Sequence, residues 1–440
     1  MPKLILLELN EINFDYVKSY IDNGIDLPGF DWLMSQDYRE TRAEKRYELL
    51  EPWIQWPSVH TGLTFQEHKI FRLGDITKSD SKQIFEIVEE MGFRVGAISP
   101  MNAANRLKSP TYFIPDPWTK TRTSGNFVIR LLANAISQAV NENSGNRITI
   151  KSLFSLALAF ITLIPYSQKL TLFKYAVNMK NRPWRKALFL DILLYEIHKT
   201  LFWRTNTEFT TLFLNAGAHI QHHYFFNSSV LSKNSIKNPH WYIDQKADPI
   251  LEMLMVYDKI LLDLSKQVDS VLMIATGLSQ IPYQHIHYYY RLKNHEQFLT
   301  ILGITFIRVL PRMTRDFLVV FKNENDCLSA ANKLSKIRFD DGQSLFGSIE
   351  NRGKELFVVL DYNFEINPQT KVFSGDIELS IYDYTNFVAI KNGEHQEKGF
   401  AFFSPSLTKY APVSGEHVSK LHTTILNYFK STTTSQDSIL

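Results

Sequence analysis

One stretch of the sequence combines imidazoles, a guanidinium and aromatic rings at close spacing. It reads Gln284-His-Ile-His-Tyr-Tyr-Tyr-Arg-Leu-Lys-Asn-His295. Imidazole and guanidinium groups bind phosphate through charge-assisted hydrogen bonds. His285, His287 and Arg291 are therefore candidates for holding a phosphate, or the diphosphate of a sugar nucleotide, without a metal. The alternative interpretation is a partly exposed linker into a following lobe.

A Ser-x-His pair, Ser58 and His60, suggests a nucleophile with a base beside it. Side chains two positions apart need not meet, and Trp-Pro-Ser precedes a predicted helix start. The sequence therefore favours Ser58 as a helix N-cap over a catalytic serine. Ser58 is kept as a candidate substrate contact.

Two polar residues, Asn10 and Glu11, directly follow the apolar run Leu4–Leu9. Turns at the carboxyl ends of strands direct side chains into the ligand crevice of an α/β sheet. With Asn10 beside it, Glu11 is a candidate general base. The alternative is a surface carboxylate, or a charge beside the amino end of the next helix.

Alternating strands and helices would position these residues. The alternation runs through Leu4–Leu9 (strand), Phe14–Asn23 (helix), Ser81–Met91 (helix), Arg94–Ser99 (strand), Thr210–Asn215 (strand), Ile250–Lys266 (helix) and Ser270–Ala275 (strand). This rhythm predicts an α/β fold with a mostly parallel sheet flanked by helices.

Two segments interrupt the alternation. Residues 118–206 are largely helical by pattern, and their uncharged run Ser152–Ile164 is shorter than the roughly 20 residues needed to cross a bilayer. Their basic flanks allow either a helical cap on the main domain or a segment on an anionic membrane surface. Residues 283–380 predict a small α+β lobe, and the Ser/Thr-rich tail 431–440 predicts disorder.

Composition narrows the class of protein. The net charge of +3 is the difference between 48 basic and 45 acidic residues, so no general attraction to nucleic acid is expected. Cys327 is the only cysteine, which excludes an intramolecular disulfide and fits a reducing compartment. The first apolar run meets Glu8 too early for a signal peptide. The expected location is cytoplasmic, or peripheral on the inner face of the membrane.

Several short motifs occur in an order that can be compared with a known family. They are Leu7–Tyr16, Leu27–Leu33, Trp56–Ser58, Thr61–Leu63, Glu67–Ile70, Ile84–Val95 and Leu421–Tyr428. Together they resemble the alkaline phosphatase superfamily, in particular its type I phosphodiesterase/nucleotide pyrophosphatase branch. The resemblance implies an alkaline-phosphatase-like core over 1–117, 207–282 and 381–430, with 118–206 and 283–380 as insertions.

The resemblance implies two divalent cations, typically zinc, that activate a Thr or Ser nucleophile. Carried over residue by residue, the first metal-binding Asp falls at Asn10, the nucleophile at Gln55, and an Asp-His-Gly turn at Ala275-Thr276-Gly277. An amide cannot attack phosphorus and keep a phosphoryl group, and neutral amide oxygens are weak ligands. The sequence predicts loss of the two-metal mechanism. Asn10, Glu11 and Gln55 remain candidate catalytic residues, and Thr276 a candidate substrate contact.

The second cation site implied by the resemblance keeps its imidazoles. The family's Asp-x-x-x-His falls on His219 and His223, and its late His resembles His395. These three could hold one zinc or another divalent cation with one open position, with His222 as an alternative to His223. The other interpretation is a pocket of hydrogen-bonding histidines without any cofactor.

Three functions follow from these alternatives. The preferred one is a transferase acting on a phosphate-bearing glycan, nucleotide-sugar or lipid-linked substrate, which the resemblance associates with bacterial surface-polysaccharide biosynthesis. The others are a non-catalytic ligand-binding protein and a residual metal-dependent phosphodiesterase or nucleotide pyrophosphatase. The expected partners are such a substrate and a membrane surface, and not nucleic acid.

Overall fold

The computed structural model describes residues 3–141, 149–177, 179–232, 235–267, 269–312 and 315–437. The chain forms two compact units. The first comprises Met1–Ser235, His240–Pro282 and Gly393–Leu440, and the second comprises Ile236–Pro239 and Tyr283–Asn392. The longer segment of the second unit starts at Tyr283, where the α+β lobe was predicted to start, and ends at Asn392 instead of residue 380. The helical insertion belongs to the first unit.

Strands and helices alternate through much of the first unit. The strands are β1 Leu4–Leu9, β2 Asp37–Arg42, β3 Val95–Ile98, β4 Tyr112–Ile114, β5 Phe209–Leu214, β6 Val271–Ala275, β7 Ser279–Pro282, β8 Tyr288–Leu292, β9 Arg308–Pro311, β10 Asp316–Val320, β11 Arg338–Phe339, β12 Phe346–Asn351, β13 Glu355–Leu360, β14 Lys371–Ser374, β15 Ile377–Ser380, β16 Thr385–Ile390, β17 Gly393–Gln396, β18 Lys398–Phe403 and β19 Glu416–His417. The helices are α1 Phe14–Asp22, α2 Pro28–Met34, α3 Pro52–Thr61, α4 Phe65–His68, α5 Ile84–Glu90, α6 Phe127–Asn141, α7 Ile150–Leu163, α8 Tyr166–Val177, α9 Arg185–Arg204, α10 Ala216–Tyr224, α11 Pro249–Ser265, α12 His295–Ile301, α13 Glu324–Leu334, α14 Ile381–Tyr384 and α15 Lys420–Asp437.

A mostly parallel sheet forms the centre of the first unit. Its strand order is β19-β2-β18-β6-β1-β5-β3-β4. Strands β4, β3, β5, β1 and β6 run parallel to their neighbours in this series, and β18 runs antiparallel to both β6 and β2. Strand β1 is buried along its whole length, as expected for a parallel strand covered on both faces. The α/β class predicted from the sequence is confirmed.

The carboxyl ends of β1, β5 and β6 lie side by side. Leu9 at the end of β1 pairs with Leu214 of β5, and Glu8 pairs with Ala275 at the end of β6. The residues that follow these ends are polar, and in an open parallel sheet this edge forms the ligand crevice. The fold therefore brings together turns that are more than 200 residues apart in the chain.

Residues Pro52–Thr61, which include Gln55 and Ser58, form a helix. Helix α3 begins at Pro52, contains Pro57 and ends at Gly62, whose φ of +75° closes the helix. Glu51 is its N-cap residue and Ser58 lies in the helix interior, so the prediction of Ser58 as N-cap is wrong. Pro52 occupies the first turn, where the fixed φ of proline suits the start of a helix. Pro57 lies in the helix interior, a position that proline normally disfavours.

The second unit contains small antiparallel sheets with helices. Its four-stranded sheet has the order β12-β13-β10-β9, and β11-β14-β15 and β8-β16 form two further sheets. Residues of β10, α13 and β13 share one buried core, which includes Phe317, Cys327 and Val358. This is the α+β composition predicted for the lobe.

The predicted disordered tail begins inside a helix. Helix α15 continues through Asp437, and residues 438–440 lie outside the described part of the chain. The hydroxyls of Ser431 and Thr432 donate to the carbonyl of Tyr428, and that of Thr433 donates to Phe429. Such bonds to the preceding turn allow Ser and Thr to sit in a helix despite their low propensity.

Four helices, α6 to α9, make up most of the insertion. In the described ranges, none of the helices is long and apolar enough to cross a bilayer. The buried side of α9 packs into the same core as α10 and α11 through residues such as Leu188, Ile197 and Leu201.

His198 is a buried imidazole of α9, and neither of its ring nitrogens has a hydrogen-bond partner among the described residues. Burial lowers the pKa of His198 from 6.5 to about 3. At pH values below 6.5, the ordinary pKa of histidine, His198 is protonated in the unfolded chain but remains neutral in the folded chain. Acid therefore favours unfolding through this residue. We expect His198→Phe to stabilise the protein by about 2 kcal/mol more at about pH 5 than at about pH 8.

Urea unfolding of this variant at both pH values tests the expectation. The exposed residue His240 offers the control, since His240→Phe should show no such difference. A gain for His198→Phe that is equal at both pH values would show that only packing has changed.

Candidate functional site

Glu11 is the second residue after β1 and lies at the centre of the candidate site. Its side chain is buried and its backbone φ is +63°, a left-handed conformation that is uncommon outside glycine. Its N–H donates to the carbonyl of Thr276 at 3.1 Å, and its carbonyl accepts from Gln221 Nε2 at 2.8 Å. The turn after β6 and helix α10 therefore hold the strained residue in place. Strain maintained in this way is typical of functional sites.

Nitrogen atoms of three side chains converge on one carboxylate oxygen. Glu11 Oε2 lies 2.9 Å from His395 Nε2 and 3.2 Å from His222 Nε2. The same oxygen accepts a hydrogen bond from Gln280 Nε2. The two imidazole Nε2 atoms are 3.1 Å apart. Glu11 is almost fully buried, whereas the His222 side chain is 32% exposed, so the cluster opens to solvent at His222.

The electrostatics of the cluster keep Glu11 ionised. Burial would raise the pKa of Glu11, but the imidazoles of His395 and His222 hold it well below its usual range. Burial would lower the pKa of His395, but the Glu11 carboxylate, Glu51 and the Leu50 carbonyl raise it to about 8. A carboxylate with so low a pKa is a poor proton acceptor near neutral pH. Glu11 is better suited to bind a cation or an imidazolium than to act as the predicted general base.

The three donor atoms fit one divalent cation. Ligand atoms about 2.0–2.2 Å from a metal lie roughly 2.8–3.6 Å apart when the angle between them is about 90–110°. The separations in the cluster are 2.9, 3.1 and 3.2 Å. Two imidazoles and one carboxylate are a known ligand set for zinc and for ferrous iron, and both leave positions open. Among the described residues, Glu11, His222 and His395 are therefore the candidate metal ligands.

His395 is placed by a two-stranded ladder. In the pairing of β17 with β7, His395 lies directly opposite Gln280, and directly opposed side chains of an antiparallel pair point to the same face. Gln280 also donates to the carbonyl of Ala218 at 3.1 Å. Gly393 leaves room for this side chain, because a Cβ atom there would come within 2.1 Å of Gln280 Oε1. The pairing of β17 with β7 thus places the side chains of His395 and Gln280 in contact with Glu11.

His222 is placed by the amino end of α10. Asp191 of α9 accepts from the backbone N–H of Asn215 at 3.2 Å and of Ala216 at 2.8 Å. The hydroxyl of Tyr257 also donates to Asp191, at 2.6 Å, and accepts from Gly217 N–H at 2.9 Å. Burial raises the pKa of Asp191 to about 6. The helical insertion therefore caps the helix that carries His222.

We expect Asp191→Ala to lower stability by about 1–3 kcal/mol, because buried backbone donors lose their acceptor. Zinc affinity at the cluster should also fall by about tenfold or more, since supporting residues orient ligands. Urea unfolding and calorimetric zinc titration measure the two effects. Asp191→Asn keeps one acceptor oxygen and should give intermediate values. Unchanged zinc affinity in Asp191→Ala would limit this residue to a structural role.

The positions implied for a second cation do not fit one. Asn10 Oδ1 accepts from the indole N–H of Trp56 at 2.8 Å, and this donor fixes the orientation of the amide. The Asn10 NH2 group then points to Asn215 Oδ1 at 2.8 Å and Glu11 Oε1 at 3.1 Å. The hydroxyl of Thr276 accepts from Phe400 N–H at 2.9 Å. These polar atoms are already bonded within the protein and bring no further negative charge.

Gln55 and Ser58 are also engaged within the protein. The buried amide of Gln55 donates to the carbonyl of Leu49 at 2.7 Å and accepts from Glu44 N–H at 3.3 Å. His68 Nδ1 accepts from Ile70 N–H, so its proton is on Nε2, which lies 3.0 Å from Ser58 Oγ. His68 therefore donates to Ser58 and cannot take its proton. Neither side chain is an activated nucleophile.

The cluster in the structure differs by two residues from the set of metal ligands predicted from the sequence. The ring centres of His219 and His223 lie 4.7 Å apart, one turn apart on α10, and His219 is exposed. The cluster contains neither of them; it contains His222, the predicted alternative, and Glu11. Successive residues of a helix point about 100° apart, so only one side of α10 can face His395.

The remaining predicted substrate contacts lie in the second unit. His285 is exposed, and His287 Nε2 lies 3.4 Å from the Asp361 carboxylate, which also pairs with Arg315. Arg291 lies in β8 opposite Asn386. Phosphate binding by His285, His287 and Arg291 stays a prediction.

Sequence reasoning missed Gln280, Gln221 and Asp191. Gln280 follows the Ala-Thr-Gly turn by three residues, which was the one available signal, since strands leaving that turn would border the crevice. Asp191 is one of few acidic residues in the insertion, and this rarity was a signal that could have identified it as a residue supporting the site.

Comparisons with known proteins give matches among solved structures only. No family model matches this chain, and neither does any curated protein. Among solved structures, phosphonoacetate hydrolase from Sinorhizobium meliloti 1021 in complex with phosphonoformate matches with a TM-score of 0.45 and 10% identity, over 97% of this chain and 96% of that chain. Alkaline phosphatase from the Antarctic bacterium TAB5 matches with a TM-score of 0.39 and 9% identity, over 97% of this chain and 98% of that chain.

Murine ectonucleotide pyrophosphatase/phosphodiesterase 5 also matches, with a TM-score of 0.43 and 10% identity over 97% of this chain and 95% of that chain. These proteins are of the kinds that the sequence resemblance names, an alkaline phosphatase and a nucleotide pyrophosphatase/phosphodiesterase. At these identities and TM-scores, the likeness carries no conclusion about the activity of this chain.

Proposed function

We propose that this chain is a transferase that uses a single divalent cation to move a phosphate-bearing group onto an acceptor hydroxyl. The observation that carries the proposal is the cluster of Glu11, His222 and His395 at the carboxyl edge of the parallel sheet, where neither Gln55 nor Ser58 is an activated nucleophile. A cation bound there would act as a Lewis acid on a phosphoryl oxygen.

Each residue of the cluster has a distinct part in this proposal. Glu11 supplies the negative charge that a cation needs, because its carboxylate stays ionised. His395 is almost buried and fixes one side of the site, whereas His222 lies on the exposed side, where a substrate would enter. Gln280 holds the carboxylate in place from the protein side.

The absence of an activated nucleophile among the described candidates supports direct transfer. The acceptor oxygen would form its bond to phosphorus as the bond to the leaving group breaks, and the acceptor proton would pass to solvent. A single displacement inverts the configuration at phosphorus, whereas a covalent intermediate would give two displacements and retention. A chiral phosphorothioate donor therefore tests the proposed route.

The proposed substrate is a phosphate-bearing glycan, a nucleotide-sugar or a lipid-linked glycan, and the proposed setting is surface-polysaccharide biosynthesis. The support is the resemblance found in the sequence together with the basic, apolar helices of the insertion. Both suit a donor with a diphosphate and an acceptor held at a lipid surface.

Metal analysis of the purified chain and an activity panel test the proposal. We expect about one zinc, iron or manganese ion per chain, with product formed from a nucleotide-sugar donor and a glycan acceptor. Chelator should remove both. Release of nitrophenol from a nitrophenyl phosphodiester without any acceptor would instead indicate a hydrolase.

A non-catalytic binding protein is the second candidate. One observation favours it, because the ion pairs of Glu11 with His222 and His395 can satisfy the buried carboxylate without a cation. A nucleotide-sugar that raises the melting temperature of the metal-free chain, without turnover, would support this function.

A further inference from the structure

Helix α7 buries mostly small residues and exposes several large apolar ones. Its buried residues are Ser152, Ser155, Ala159 and Leu163. Its exposed apolar residues follow the spacing i, i+3, i+4, i+7, i+11 and are Ile150, Leu153, Phe154, Ala157 and Ile161. Helices that pack on a protein core normally show the reverse pattern. The large apolar side chains of Ile150, Leu153, Phe154 and Ile161 therefore face away from the core, whereas Leu163 is buried in it.

Helix α8 carries a second exposed stripe. The spacing i, i+4, i+7, i+11 places four residues on one face, and they are Tyr166, Leu170, Phe173 and Val177. Phe154 and Phe173 are 66% and 59% exposed. Two aromatic-containing apolar stripes on consecutive helices exceed the scattered apolar exposure that is normal for a protein surface.

The charge of this region has a single sign. Residues 143–190 contain no Asp or Glu, and they contain eight basic residues, which are Arg147, Lys151, Lys169, Lys174, Lys180, Arg182, Arg185 and Lys186. Lys169 and Lys174 flank the apolar stripe of α8 within the same helix. An apolar face bordered by lysines is the composition of a helix that lies in the headgroup region of an anionic bilayer.

We propose that α7 and α8 dock this chain onto an anionic membrane surface, with their exposed apolar stripes among the lipid chains and their lysines at the lipid phosphates. Contact with the surface needs no crossing helix, since the stripes lie along helices of 14 and 12 residues. The proposal is independent of the activity proposed above.

A second copy of the chain is a less favourable occupant of this face. A symmetric dimer joins the same patch of both copies, so the basic residues of one would lie near those of the other. No acidic residue of 143–190 could offset this repulsion. Lipid phosphates instead supply the opposite charge.

Sedimentation with vesicles tests the proposal. We expect the full chain to bind vesicles of phosphatidylglycerol mixed with phosphatidylcholine, to bind pure phosphatidylcholine much less, and to dissociate as salt rises. Phe154→Ser combined with Phe173→Ser, and separately Lys151→Glu combined with Lys174→Glu, should each weaken binding by about tenfold or more. Val413→Ser removes an apolar residue that is 73% exposed elsewhere and should leave binding unchanged.

Other results would overturn the proposal. They are no binding to anionic vesicles, equal binding to both lipids, or unaltered binding by both double variants. A dimer in solution that the Phe154→Ser and Phe173→Ser changes dissociate would assign the face to self-association instead. Hydrogen exchange of the unmodified chain gives a measurement without variants, since anionic vesicles should slow exchange in α7 and α8.

Discussion

Glu11→Gln is expected to abolish tight binding of a divalent cation while the chain keeps its fold. The substitution preserves shape but removes the only carboxylate of the described cluster, and a neutral amide oxygen is a weak ligand. Zinc affinity should fall about a hundredfold or more, because loss of a supporting residue alone costs roughly 10–100-fold. Any transferase activity should fall with it.

The same variant changes the titration of His395. With the carboxylate gone, the largest cause that raises the pKa of His395 is lost, and this pKa should fall from about 8. Nuclear magnetic resonance of the imidazole in metal-free protein measures this shift. A pKa of about 8 that persists in Glu11→Gln would contradict the arrangement of the cluster.

Two histidine variants separate the alternative ligand sets. His222→Ala should lose zinc as Glu11→Gln does, whereas His223→Ala should retain it, although the two residues are neighbours on α10. The reverse result would restore the ligand set predicted from the sequence. The exposed His240→Ala controls for the general loss of an imidazole.

His60→Phe is expected to lower the free energy of unfolding by about 3–5 kcal/mol, the cost of removing one partner of a buried ionisable pair. His60 Nε2 lies 2.9 Å from Glu8 Oε1, and both side chains are fully buried. Glu8 Oε2 has no partner among the described residues, so the variant would leave the whole carboxyl group without a side-chain hydrogen bond.

A double-mutant cycle gives the test. Glu8→Leu combined with His60→Phe replaces both polar partners by apolar groups and should recover most of the lost stability, since the ring of His60 already contacts those of Trp56 and Phe85. Urea unfolding of the four proteins yields the coupling energy. Additive effects of the two substitutions would show that the residues do not act as a pair.

Local periodicity in the sequence was sufficient to predict the bounds of most strands and helices near the site. The strand predicted over Leu4–Leu9 has these bounds in the structure, and the helix predicted over Ile250–Lys266 differs by one residue at each end. These signals are local, because side-chain alternation and amphipathic spacing repeat within a few residues. Helix α3 was missed because Pro57 contradicts the local pattern, and contacts of the buried residues around it outweigh that preference.

The amino-acid sequence by itself determined what this site lacks. The resemblance places Asn10, Gln55 and Ala275 at positions of two metal ligands and the nucleophile, and amide and alanine side chains supply neither a charge nor a nucleophile. The predicted loss of the two-metal mechanism therefore follows from that resemblance and from side-chain chemistry.

Only the tertiary structure decided which residues form the site that remains. Glu11, His222 and His395 are separated by as many as 384 positions, and no local pattern relates them. The pairing of β17 with β7 sets the direction of His395, and the capped start of α10 sets the rotation that brings His222 forward in place of His223. Long-range packing chooses among neighbours that differ by a rotation of about 100°, and the spacing of residues in the sequence contains no record of that choice.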